Sequence, residues 1–252
     1  MAGHSKWAQI KHKKAATDVK RGKIYSKLVR AITVAAREGG GNPDANPALA
    51  NAIEKAKGFN MPSDTIERAI KKGTGELGGE AYEAVTYEGY GPAGVAFMVD
   101  CMTDNRNRTA ADVRHVFTKR GGSVGTPGSV AWIFERKGHV IVDKSSAPSE
   151  DDLLAVAIEA GAEDMRDAGD QWEILVEPTD LMAVANAVKK AGIEVALAEI
   201  TMLPKSTTAL GIEDARKVLR LVEDLEGLDD VQEVYANFDI GDGVMEELAK
   251  EE

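Results

Sequence analysis

Apolar positions along this chain first recur at helical spacing and switch to strand-like runs near residue 80. From about Thr17 to Arg37, Ile24, Leu28, Ile32 and Ala35 return every three or four residues, which lines one face of a helix. Lys23, Lys27, Arg30 and Arg37 fall near the opposite side as a basic stripe. The run Glu38-Gly-Gly-Gly-Asn-Pro-Asp-Ala-Asn-Pro then breaks the helix, because Gly has poor helix propensity and Pro lacks an amide donor. Asn46 as cap and Pro47 at the first position predict a second helix that runs to Lys57 and ends at Gly58. Ser63 is expected to cap a third, with Asp64 and Glu67 complementing the positive end of its dipole. Ile66, Ala69 and Ile70 form its inner edge and Gly73 stops it. Residues 1–76 therefore read as a basic helical domain.

Beyond Glu80 the pattern is mixed. Ala84–Tyr90 and Gly94–Thr103 are β-rich runs joined by Gly89-Tyr-Gly-Pro-Ala-Gly94, a hairpin by its turn residues. A helix follows from about Thr109 to Lys119 with Val113, Val116 and Phe117 inside, ended by Gly121-Gly122. Strands are expected at Ser129–Arg136 and His139–Asp143, turning at Lys137-Gly138. Ser149 and Asp152 suggest a capping box for a helix to Ala160. A strand (Trp172–Glu177), a helix (Thr179–Lys190) and a strand (Ile193–Leu203) complete a β-β-α-β-α-β pattern. The helix Ile212–Leu225 and the strand Val231–Phe238 cannot bury their own apolar faces, so their expected home is the sheet begun at 80–125. The expected domains are then 1–76, 77–130 with 206–252, and 131–205 as an insertion.

Charge changes the picture more than composition does. The 252 residues carry a net charge of -11, but Lys and Arg outnumber acids 15 to 6 in residues 1–72, while acids outnumber bases 36 to 16 in the rest. One end is built to meet a polyanion, and the remainder keeps the chain soluble. No run approaches the roughly 18 apolar residues of a membrane helix, and the N-terminus has no apolar signal region. A single cysteine, Cys101, cannot form an internal disulfide and fits a reducing compartment, so the expected location is cytoplasmic, without a membrane partner.

Candidate chemistry is sparse. Gly89-x-Gly91-x-x-Gly94 matches the dinucleotide fingerprint in letters, but a strand follows where that motif needs a helix N-terminus. Cys101 lies in an apolar run beside Asp100 and Asp104, which raise a thiol pKa and mark it as a buried small residue. His4, His12, His115 and His139 lack metal-ligand spacing, and no Gly-x-Ser-x-Gly or Walker lysine loop is present. The reading is a non-enzyme without catalytic residues, metal or cofactor. In the basic tract, His4, Lys6, Trp7, Lys11, His12, Lys13, Lys14, Lys20, Arg21, Lys23, Lys27 and Arg30 are the candidate nucleic-acid contacts. The cations would neutralise phosphates, and Trp7 would stack on a base or anchor the arm. In Thr103-Asp-Asn-Arg-Asn-Arg-Thr109, Arg106 and Arg108 could form a second anion-contact loop, or Asn and Asp could simply cap the helix that follows.

Several strings together resemble the YebC/PmpR family: Gly3-His-Ser-Lys-Trp7, Ile10-Lys-His-Lys-Lys14, Asp18 to Lys23, Gly89 to Gly94, Thr103 to Thr109 and Gly121-Gly-Ser. The resemblance implies an α+β multi-domain fold. It comprises an N-terminal basic three-helix domain and two ferredoxin-like α/β domains, one inserted in the other, around a cleft. It also implies a DNA-binding transcriptional regulator; mitochondrial relatives act as translational activators, and bacterial members have been tied to the ribosome. The expectation is a nucleic-acid-binding regulator of gene expression whose acidic α/β domains shape the cleft or contact a protein partner. A ribosome- or RNA-associated translation factor using the same basic surface is the alternative. No compact helix-turn-helix supports base-specific readout, since a long breaker-rich run separates the first two helices.

Overall fold

The computed structural model describes residues 18–78, 82–147 and 149–250. In chain order its elements are helices α1 (Asp18–Gly39), α2 (Pro47–Gly58) and α3 (Ser63–Gly73), then β1 (Glu83–Tyr90), β2 (Ala96–Thr103), α4 (Arg106–Lys119) and β3 (Ser123–Val124). There follow β4 (Phe134–Asp143), α5 (Glu150–Glu159), β5 (Ala162–Asp167), β6 (Gln171–Val176), α6 (Leu181–Lys190), β7 (Leu197–Pro204) and β8 (Thr208–Ala209). The chain ends in α7 (Ile212–Glu226), β9 (Val231–Ala236), β10 (Phe238–Asp239) and α8 (Asp242–Ala249). Among the described residues this is an α+β fold in two compact units: 18–130 with 213–236, and 131–212 with 237–250.

In the first unit, the stripe read from the sequence is the helical core. Leu28, Ile32, Ala35 and Ala36 of α1 pack with Leu49, Ala56, Met61, Ile66 and Ala69. Asn46 caps α2 by accepting from Leu49 N at 3.1 Å, and its amide nitrogen donates to Ala35 O and Gly40 O, each at 2.8 Å. One buried side chain thus starts α2 and ties the breaker loop back to α1. Ser63, expected as the cap of α3, is instead its first residue. Pro62 holds the cap position without a side-chain bond, and its carbonyl accepts from Thr65 N and Ile66 N. Gly73 marks the close approach of α1 and α3, since a Cβ there would lie 2.4 Å from Thr33 O and 2.7 Å from Ala36 Cβ. Gly73→Ala is expected to cost about 2 kcal/mol by overpacking this seam. Thermal denaturation checks it, and an unchanged midpoint would show that the helices part freely.

The sheet of this unit has the order β3-β1-β2-β9. β1 and β2 pair antiparallel from Glu83↔Thr103 to Tyr90↔Ala96, so the glycine-rich motif is a hairpin connection between strands. Phe97 of β2 meets Phe117 of α4 edge-on, with ring centroids 5.8 Å apart. α7 buries Ala215, Val218, Leu221, Val222 and Leu225, and Arg120 Nε donates to Asp224 Oδ2 at 2.8 Å, joining the end of α4 to α7. That bond to Arg120 holds the Asp224 carboxyl below its usual range.

The second unit carries the sheet β5-β6-β4-β7, with antiparallel pairing throughout. Its connectivity, β4-α5-β5-β6-α6-β7, is the ferredoxin-like pattern. Val140, Val142, Ile174 and Val176 of the sheet pack against Leu153, Ala157, Leu181, Val184 and Val188 of α5 and α6. Two expectations are corrected here. The turn at Lys137-Gly138 does not exist: β4 is continuous, and Gly138 pairs with Val176 on one side and Ile200 on the other. Glycine is needed there because a Cβ would lie 2.4 Å from Val176 Cγ2. The strand β5 escaped notice because Ala-Glu-Asp-Met-Arg-Asp is a mostly polar edge strand without alternation. The tail also divides: α7 and β9 join the first sheet, whereas β10 pairs parallel with β8 in this unit.

Candidate nucleic-acid interface

The basic stripe of α1 runs along the C-terminal end of α7 within the first unit. That helix ends among Glu223, Asp224 and Glu226 with no basic residue in its last turn, so nothing of its own offsets the negative end of its dipole. The cations come from α1, about two hundred residues earlier. Lys23 Nζ donates to Gly227 O at 3.0 Å and Lys27 Nζ to Glu226 O at 3.3 Å. Arg30 donates to Asp229 O and faces the Asp230 carboxylate at 3.5 Å. Spacings of four and three residues put the three side chains on one helical face, which is why they reach neighbouring acceptors.

Asp230 is the hub of this seam, with only 8% of its side chain exposed. It accepts from Thr109 Oγ1 at 2.8 Å, Thr103 Oγ1 at 3.2 Å and Arg108 Nη2 at 2.7 Å. Arg108 also reaches Asp104 at 2.8 Å, and the bonds to Asp230 and Asp104 push its pKa further above the usual range. Asn105 caps α4 by accepting from Arg108 N at 3.1 Å. Asn105 of the Thr103–Thr109 loop therefore caps the helix, and Arg108, with 48% of its side chain exposed, pairs with the Asp230 and Asp104 carboxylates. Arg106 remains exposed, 3.7 Å from Glu83.

Tyr82 lies beside the same seam. Lys72 Nζ sits 4.6 Å from the centre of its ring and the Arg30 guanidinium 5.5 Å, while Arg37 donates to its carbonyl at 3.0 Å. Cys101 is buried as expected, and its thiol is pushed up to about 12, first by burial and then by Asp100 and Asp230. His139 is buried 3.6 Å from Glu173 and His115 is exposed on α4. Among the described residues no group of His, Cys, Asp and Glu could hold a metal, and no helix is long and apolar enough to cross a membrane.

Of the sequence candidates, Lys23, Lys27, Arg30 and Arg108 come together around residues 226–230, and Arg106 stays apart. Lys20 and Arg21 fall in the first turns of α1. His4, Lys6, Trp7, Lys11, His12, Lys13 and Lys14 lie outside the described residues. Sequence reading missed Asp230 and Tyr82, and took Thr103 and Thr109 only as the ends of the polar loop rather than as donors to Asp230. The available signal was the acidic last turn of α7, which calls for cations from elsewhere in the chain.

Residues 5–76 match the model of the TACO1/YebC protein N-terminal domain, and residues 82–238 match that of the TACO1/YebC second and third domain. The chain belongs to the TACO1/YebC family. Among relatives, a "Probable transcriptional regulatory protein" of Rubrobacter xylanophilus is 57% identical over 251 residues, covering 99% of this chain and 100% of its own length. A protein of the same printed name from Dictyoglomus thermophilum is 53% identical over 249 residues, with coverage of 99% and 100%. The crystal structure of the conserved hypothetical protein Aq1575 from Aquifex aeolicus superimposes with a TM-score of 0.83 at 53% identity, covering 94% of this chain and 97% of that one. The Aquifex structure thus shares the fold over nearly the whole chain, and these curated relatives are named as probable transcriptional regulatory proteins.

Proposed function

We propose that this protein is a non-enzymatic, cytoplasmic regulator of gene expression that binds DNA through the phosphate backbone, using the basic tract from His4 to Arg21 with the adjoining helical domain. The observation that carries the reading is the partition of charge: bases outnumber acids 15 to 6 in residues 1–72, and acids outnumber bases 36 to 16 beyond them. A polyanion is drawn to the first region and repelled by the second, which confines contact to one end. The relatives' name as probable transcriptional regulators supports the same assignment. Phosphate contact holds the protein on the duplex without reading bases, so sequence preference enters through DNA shape or a partner protein.

The test is titration of the intact chain with random-sequence duplex DNA across a series of salt concentrations. Engagement of about six phosphates gives a log–log slope near -5. A slope near zero, or absence of binding at low salt, contradicts the proposal. Intact ribosomes added as competitor decide the target. Release from ribosomes by excess duplex supports the DNA reading, and retention on them moves the site to translation.

A further inference from the structure

We propose that the seam between α1 and the end of α7 is an autoinhibitory clasp, which a nucleic-acid polyanion must open to reach Lys27 and Arg30. The inference rests on the nucleic-acid reading above and adds a regulation to it. Lys23, Lys27 and Arg30 hold the carbonyls of Gly227, Glu226 and Asp229. These are charge-assisted bonds at the negative end of a helix dipole, the same electrostatic need that a phosphate would satisfy. Lys23 is exposed and can meet a phosphate without letting go, whereas Lys27 is half-buried. Arg30 is 17% exposed, enclosed by Asp229 O, the Asp230 carboxylate and the Tyr82 ring. A phosphate that takes both faces of its guanidinium fork must displace the Asp229 carbonyl and the Asp230 carboxylate.

Opening is a matter of moving the helical domain as a body. Its core, Leu28 and Ile32 against Leu49 and Ile66, is separate from the clasp and survives its release. The chain leaves α3 through Gly75 and Gly78, both at positive φ (86° and 62°), a backbone that can absorb the reorientation. Ion-pair competition sets the balance: low salt strengthens the clasp in the free protein and the phosphate contacts in the bound one, so part of the salt effect on binding is offset. The clasp then makes binding weaker and its salt dependence shallower than the number of basic residues implies.

The experiment uses the whole chain with spin labels at Ser26→Cys on α1 and Glu223→Cys on α7, both exposed positions. Cys101 stays unlabelled, because its side chain is buried in β2 and only 2% exposed. A short random-sequence duplex is expected to lengthen the label distance as it saturates the protein. Asp229→Lys puts a cation beside the three already there and is expected to lengthen the distance without DNA. It should bind the duplex three- to tenfold more tightly than Asp112→Lys, which makes the same charge change on the exposed face of α4. An unchanged distance at saturation, or equal affinity of the two variants, overturns the clasp. Absence of duplex binding overturns the nucleic-acid reading instead, while the distance in Asp229→Lys without DNA still reports whether the seam opens.

Discussion

Replacing Lys6, Lys11, Lys13 and Lys14 together by Gln is expected to weaken binding to random duplex DNA about tenfold or more and to flatten the salt slope by about 3–4. Each lysine neutralises one phosphate and releases close to one counterion, so the change in slope counts the contacts removed. The effect should be uniform across DNA sequences, because phosphate contacts hold a protein on the duplex without reading bases. Fluorescence anisotropy at several salt concentrations measures both quantities, with the thermal midpoint of the variant as the control for folding. Affinity and slope equal to those of the parent would show that this tract is only a solvated face.

The second large effect concerns stability. Asp230→Ala is expected to cost about 3 kcal/mol, the scale seen when one partner of a buried charge network is removed. Its carboxylate is 8% exposed and accepts from two threonine hydroxyls and Arg108, with Arg30 alongside. Arg108 alone, 48% exposed, would contribute little. The cost comes from Arg30, 17% exposed, losing its carboxylate, and from the buried Thr103 and Thr109 losing a charged acceptor, although Thr109 can still donate to Asn105 O at 3.1 Å. At roughly 2–4 °C per kcal/mol for a chain of this size, the midpoint should fall by about 6–12 °C. Asp230→Asn keeps the shape and an acceptor for Thr109 and should lose about half as much. A loss below about 1 kcal/mol in Asp230→Ala would mean that water replaces the carboxylate at little cost.

Local structure was legible wherever periodicity and capping agreed. The face of α1 through Leu28, Ile32 and Ala35, the Asn46 cap and the Gly89–Gly94 hairpin all followed from spacing and turn chemistry. The polar strand β5 was not legible, since an edge strand needs no apolar alternation and takes its place from the ladder with β6. Gly138 misled for the opposite reason: glycine within a strand run reads as a turn, and only the neighbouring Val176 explains it. The division of the tail between two sheets depends on pairing that no local pattern encodes. The same limit applies to the candidate interface. Lys23, Lys27 and Arg30 were visible as a stripe, but their acceptors lie some two hundred residues away at the end of α7.

The proposed function places nucleic acid at the basic end of the molecule and nowhere on its acidic α/β parts. Lysine footprinting tests this most directly, by mass spectrometry of amine acylation with and without saturating duplex DNA. Lys6, Lys11, Lys13 and Lys14 are expected to be protected, and the exposed Lys189, Lys190 and Lys217 to stay unchanged. Protection centred on Lys189 and Lys190, or bound DNA that shields none of the N-terminal lysines, would contradict that placement.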